Sequence, residues 1–100
     1  MEAALVSRLN AVIHERARLG IMSLLAAQPA LSFTELKSYL DMTDGNLSVH
    51  LRILDEAGYV RVEKKFIDRK PRTTVRLTKK GRIAFEHYVE VLEEIVRRKS

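Results

Sequence analysis

The sequence predicts a mainly α-helical fold with one small β-hairpin (α+β), and three features predict it. Apolar residues recur at helical spacing in three separated stretches, near 5–25, 36–54 and 85–96. Between the second and third, residues 59–77 change to an alternating pattern rich in Val and Thr. Gly58 stands at that change, where a helix stops most easily on a residue that accepts a left-handed conformation. One hundred residues, 46 % hydrophobic and 31 % charged, suit a single domain, 1–100, with one core.

Leu5, Leu9, Val12 and Ile13, then Leu19, Ile21, Met22, Leu24 and Leu25, predict one long helix or two consecutive ones over 2–27. Gln28-Pro29-Ala30 ends it, because proline cannot donate to the preceding turn. Leu31 and Ser32 suggest a very short strand. A two-turn helix over 34–40 follows, with Phe33, Leu36, Tyr39 and Leu40 on one face. Thr43 then caps a helix running to Ala57, and Leu47, Leu51 and Leu54 form its buried stripe. Two helices joined by a short turn, the second closed by glycine, make a helix-turn-helix over 33–58.

Val60, Val62 and Phe66 alternate with charged residues and predict a half-buried strand. The segment 67–72 is polar and contains Pro71, so it reads as a loop before a second strand at 73–77. The two strands form a hairpin with a basic tip, within a wing over 59–77. Thr78 caps the last helix, 78–100, whose stripe is Phe85, Tyr88, Val89, Leu92, Ile95 and Val96. The order of elements is that of a winged helix-turn-helix with terminal helices available for dimerisation.

Charge sharpens this reading. Residues 59–82 hold ten basic and two acidic side chains, a local +8 within a chain of net +5. A solvated helix face mixes signs, as 86–99 does, so an unmixed run points to a polyanionic partner. The chain has no cysteine, which excludes disulfides, thiolate metal sites and cysteine nucleophiles. It also has no apolar run of membrane-spanning length and an acid at Glu2 where a signal peptide carries bases, so a cytoplasmic protein without a membrane partner is expected.

Thr43-Asp44-Gly45-Asn46-Leu47-Ser48-Val49-His50-Leu51, followed by Ala57-Gly58-Tyr59-Val60, resembles the recognition-helix stretch of the ArsR family, with its Ser-x-His-Leu core. Pro71-Arg72-Thr73-Thr74-Val75-Arg76-Leu77-Thr78-Lys79-Lys80-Gly81 is similar to the wing and Leu-Thr-x-x-Gly boundary of the MarR family. The whole pattern most resembles a small winged-helix subgroup carrying Gly-Asn-Leu-Ser and Lys-Pro-Arg-Thr-Thr. The resemblance implies a transcriptional regulator, most simply a homodimeric repressor, bound to double-stranded DNA.

The chemistry of groove recognition selects the candidate residues. A recognition helix offers short polar side chains at its N-terminus, and Thr43, Asp44, Gly45, Asn46, Ser48, Val49 and Arg52 lie opposite the leucine stripe. Asn46 suits adenine, Ser48 a base or phosphate, and Val49 a thymine methyl. Asp44 repels phosphate, so its roles are helix capping, which is favoured, or accepting from cytosine. Gly45 weakens a helix, which suits either a close external approach or a place in the turn. The resemblance implies a phosphate contact for His50; packing at the helix edge is its other reading.

In the wing, Arg69, Lys70 and Arg72 are assigned to insertion into or along the minor groove, a solvated loop being their other reading, Thr73 to DNA contact, and Lys65, Arg76, Lys79 and Lys80 to the phosphate backbone. Leu5, Leu9, Val12, Phe85, Tyr88, Leu92 and Ile95 are assigned to a dimer interface. No catalytic residue, cofactor or metal ligand set emerges. His14, His50 and His87 fall on separate elements, and His87 with Glu86, Glu90 or Glu94 is a weak metal set without cysteine. The rival is a winged helix used for protein interaction or DNA architecture.

Overall fold

The structure, a computed structural model, describes residues 2–98. Its elements are α1 (Glu2–Val6), α2 (Arg16–Ala27), β1 (Ala30–Ser32), α3 (Phe33–Leu40), α4 (Asp44–Glu56), β2 (Val60–Ile67), β3 (Lys70–Leu77) and α5 (Lys79–Arg97). The strands form one antiparallel sheet in the order β1-β3-β2. Continuation of the last helix to the C-terminus, with Lys99, lies outside the described residues.

Of the two forms expected for the N-terminal stretch, the structure shows the second, two consecutive helices. Residues 7–15 are irregular because Asn10 competes for the backbone: its Oδ1 accepts from the amides of Val12 and Ile13, at 2.9 and 3.1 Å. Glu15 then caps α2, its carboxylate accepting from the Arg18 amide at 2.8 Å. That bond, opposed by partial burial and assisted by the Arg18 charge, holds the Glu15 pKa below the ordinary glutamate value.

Ile13, Ile21, Met22, Leu25, Leu31, Leu36 and the α4 stripe of Leu47, Leu51 and Leu54 meet Val60, Val75 and Tyr88 in one core. α4 contributes the face its periodicity marked, whereas α3 buries Leu36 but leaves Tyr39 62 % exposed, and α5 buries Tyr88 and Val91 while Val89, Leu92 and Val96 of its expected stripe are exposed. Gly20 lets α2 approach α3, since a Cβ there would stand 2.9 Å from Leu40 Cδ2.

Ser32 closes β1 and caps α3 at once. Its hydroxyl accepts from the Glu35 amide at 3.0 Å, and the Glu35 carboxylate accepts from the Ser32 amide at 2.8 Å. The Ser32 amide, then its hydroxyl, lower the Glu35 pKa against a desolvation penalty, with help from the Arg72 charge. Ser32→Ala is expected to remove about 1 kcal/mol of stability in urea denaturation at neutral pH. A carboxylate with a depressed folded-state pKa stabilises above its unfolded value, and the contribution disappears as pH falls through the folded value. Alanine keeps the amide and loses only the hydroxyl's smaller share, so the difference between parent and Ser32→Ala should narrow only slightly in acid.

The wing departs from expectation. Position 67 ends β2, and the turn is only Asp68 and Arg69, with φ of 52° and 67°. Positive φ at both central residues is the primed hairpin turn, usually filled by Asn or Gly. Pro71 lies inside β3, opposite Phe66. In a two-residue hairpin Ile67 and Lys70 form the hydrogen-bonded pair, so the next pair exchanges no bonds and the proline nitrogen points away from β2. β1 pairs with β3 only at 74–76, so nothing on that side requires the missing donor.

The two strands of eight residues reach about 25 Å from base to tip. They outrun the body of the domain. Val60 is buried and Val62 half-buried, whereas Phe66 on the same face is 78 % exposed, against the expectation of a half-buried ring.

Candidate nucleic-acid interface

Thr43 Oγ1 accepts from the Asn46 amide at 3.2 Å and so caps α4, as expected. The surface that follows is open: Thr43, Asp44, Gly45, Asn46, Ser48, Val49 and Arg52 are all exposed. Asp44 is clamped by Lys37 of α3, with Nζ 2.7 Å from Oδ1, which offsets its charge beside the helix N-terminus. Lys37 had no signal in the sequence, because a pair between two helices follows no spacing rule. Gly45 is inside the helix, not in the preceding turn, and a Cβ there would meet nothing within 4 Å. No neighbour within the chain requires that glycine.

His50 is placed differently. Its ring turns toward α2, where Arg18 Nη1 lies 3.0 Å from Nδ1 and Glu15 Oε1 lies 3.7 Å away. An arginine can only donate, so Nδ1 accepts and the shorter contact defines the arrangement. Arg18 is itself anchored by Nε donation to the Val12 carbonyl at 2.6 Å. His50 thus takes its packing role, joining α4 to the start of α2.

Along the wing, side chains alternate between two faces. One continues the core face through Lys64, Phe66, Pro71 and Thr73, and the other carries Lys65, Ile67, Lys70 and Arg72. Lys65, Arg69, Lys70 and Arg72 are exposed and Thr73 is half-buried. Lys65 sits directly across from Arg72, a like-charge pairing that weakens a hairpin in isolation and favours a nearby anion. A cleft of about 420 Å³ separates α4 from the wing, lined by Ser48, Arg52 and Asp55 on one side and Val62, Lys64 and Thr73 on the other. Lys64 was missed as a site residue, though it shares the parity of Val62.

The basic run 59–82 is not one patch. Arg76 donates to Glu63 at 2.9 Å, so its charge is largely satisfied. The Arg76 side-chain bond also holds the Glu63 pKa low against a desolvation penalty, with help from the charges of Lys65, Arg76 and Arg61. Lys80 stands at the hairpin base, its Nζ 6.0 Å from the Tyr59 ring centroid, far from the tip. The cations available together are those of the outer wing.

The assigned dimer residues also divide. Leu9, Val12 and Phe85 pack against the chain's own core, and Tyr88 is 2 % exposed with its hydroxyl 2.8 Å from His14 Nδ1. Burial raises the Tyr88 pKa. Tyr88 is therefore a core residue, a correction to its assignment. Leu5 and Ile95 are half-buried, whereas Leu92 is exposed together with Val6, Val89 and Val96.

A family model described as a winged helix DNA-binding domain matches residues 17–96. The chain belongs to that family. It is 40 % identical over 77 residues, 76 % of this chain and 84 % of the relative, to an uncharacterized protein of Methanocaldococcus jannaschii. Its fold is similar to a transcriptional regulator homologue from Pyrococcus horikoshii, with TM-score 0.90 and 29 % identity, covering 99 % of this chain and 97 % of that one. A MarR-family transcriptional regulator from Silicibacter pomeroyi shares the fold at TM-score 0.68 and 22 % identity, over 98 % of this chain and 65 % of its own. The winged helix-turn-helix is thus a DNA-binding regulator's fold, not an enzyme's. No helix among the described residues is long and apolar enough to cross a membrane.

Proposed function

We propose that the chain is a homodimeric transcriptional repressor that reads duplex DNA sequence-specifically. In this reading Thr43, Asn46, Ser48, Val49 and Arg52 enter the major groove, while Lys65, Arg69, Lys70, Arg72 and Thr73 follow the minor groove and backbone. The observation that carries it is the open N-terminal surface of α4 beside a wing whose outer part, 64–72, carries five cations against one acid. Occupying DNA that a polymerase also needs is enough for repression.

A two-fold dimer supports specificity, since one recognition helix spans only a few base pairs. Its seam follows Val89, Leu92 and Val96 on α5, spaced three and four and exposed at 37, 38 and 63 %. Selecting bound duplexes from a random pool tests the function: a recovered motif with two-fold symmetry is expected. Binding without sequence preference would leave only the architectural reading. Asn46→Ala should change the selected bases, and a monomer in sedimentation equilibrium at tens of micromolar would overturn the dimer.

Gly45 supplies a cleaner contrast. Gly45→Ala should leave thermal stability equal or slightly raised, by at most about 1 kcal/mol, because alanine is the better helix former and meets no neighbour. Its duplex affinity should nevertheless fall, since the added methyl stands where α4 meets the groove. Paired melting and binding measurements on the one variant separate the two effects.

A further inference from the structure

Phe66 is the most exposed large apolar side chain among the described residues, although it lies in the interior of a regular strand. It continues the core face formed by Val60 and Val62, beyond the point where the body of the domain ends. Pro71 sits across from it on β3 and Ile67 follows it before the turn. Leaving a phenylalanine in water forfeits a substantial burial free energy, so its place on a rigid ladder calls for an occupant.

The surrounding charge identifies the occupant. Lys64 shares the face of the ring, Lys65, Lys70 and Arg72 project from the opposite face of the same two strands, and Arg69 stands at the tip, with Asp68 the lone acid among 64–72. An apolar protein surface would have to desolvate those cations without compensation. A duplex presents phosphates outside and flat apolar base faces within, and so satisfies both the cations and the ring. We propose that Phe66, backed by Pro71, is a wedge that the wing inserts from the minor groove at a base step, opening the stack and bending the duplex. Phenylalanine and proline are among the residues that kink DNA in this way, and the exchange of stacking for a wider contact surface is the energetic basis. The inference rests on the DNA-binding reading above and extends it from contact to deformation.

The test uses the full chain and a short A·T-rich duplex with TpA steps, which unstack readily, carrying a dye at each end and 2-aminopurine beside the central step. At low salt the parent should raise both end-to-end energy transfer and 2-aminopurine emission. Phe66→Ala should bind about tenfold more weakly and, at saturation, leave both signals near those of the free duplex. Its salt dependence should match the parent's because every cation is retained, and its melting temperature should also match because the ring is exposed. Phe66→Leu should recover part of the bend. If saturating Phe66→Ala bends and unstacks the duplex as the parent does, the wedge is overturned while DNA binding stands. A parent that fails to bind at all overturns both. If Phe66→Ala instead turns a dimer into a monomer, the ring covers a second copy of the chain and the wedge is wrong.

Discussion

Gly81→Ala is expected to be the most destructive single-methyl change in the chain. A Cβ at this position would lie 2.1 Å from the Tyr59 carbonyl oxygen, 2.8 Å from its carbon and 3.0 Å from Leu77 Cδ1. Backbone cannot rotate aside as a side chain can, so α5 and the start of β2 must separate. Two bonds cross their contact, and both come from the residue whose hydroxyl also caps α5. The Thr78 amide donates to Tyr59 O at 3.0 Å, the Thr78 hydroxyl donates to Gly58 O at 2.6 Å, and the Gly81 amide donates to Thr78 Oγ1 at 2.9 Å. We expect a loss of about 3 kcal/mol or more, at the upper end for overpacking, from a methyl aimed at backbone. For a domain of this size the midpoint should fall by roughly 10–20 °C in thermal denaturation. A variant melting within a few degrees of the parent would rule out the close approach.

The same residues show which parts of the fold were legible. Leu47, Leu51 and Leu54, Gly58, and Thr78 as the cap of α5 each act within a few positions of chain, so spacing alone exposes them, whereas the approach of Gly81 to Tyr59 reaches across the whole wing. The break at 7–15 was hidden because Asn10 is common on helix surfaces, and only its two accepted bonds show it competing with the helix. Pro71 read as a stop because its tolerance depends on how far β1 extends alongside β3, a property of the sheet and not of the local sequence. The α4 surface was readable as the complement of the leucine stripe. His50 was ambiguous because it lies at that surface's edge, and its orientation depends on Arg18, thirty-two positions away. Tyr88 misled for a similar reason: a stripe marks apolar side chains but does not distinguish those facing the core from those facing a second copy.

Arg69→Gly combined with Arg72→Ala should separate folding from DNA binding most sharply. Arg69 occupies a left-handed turn position, φ 67°, where a non-glycine residue costs roughly 1 kcal/mol. Glycine relieves that strain but loses more chain entropy on folding, an effect of roughly similar size. Arg72→Ala removes the like charge facing Lys65, while also ending the favourable influence of Arg72 on Glu35. Stability should therefore remain near the parent's. Duplex affinity should not, because each lost phosphate contact lowers the salt-dependence slope by about 0.9 and weakens binding roughly tenfold near 0.1 M salt. Titrations across ionic strength should give a shallower slope and a loss shared by all duplex sequences. An unchanged slope would remove these arginines from the phosphate contacts, and a loss confined to one sequence would make them readers of bases. The strained arginine at the tip is then understandable in energetic terms. A glycine would form the turn more easily but leave the outermost point of the wing without its guanidinium, so the backbone strain retained there is consistent with selection for binding over local stability.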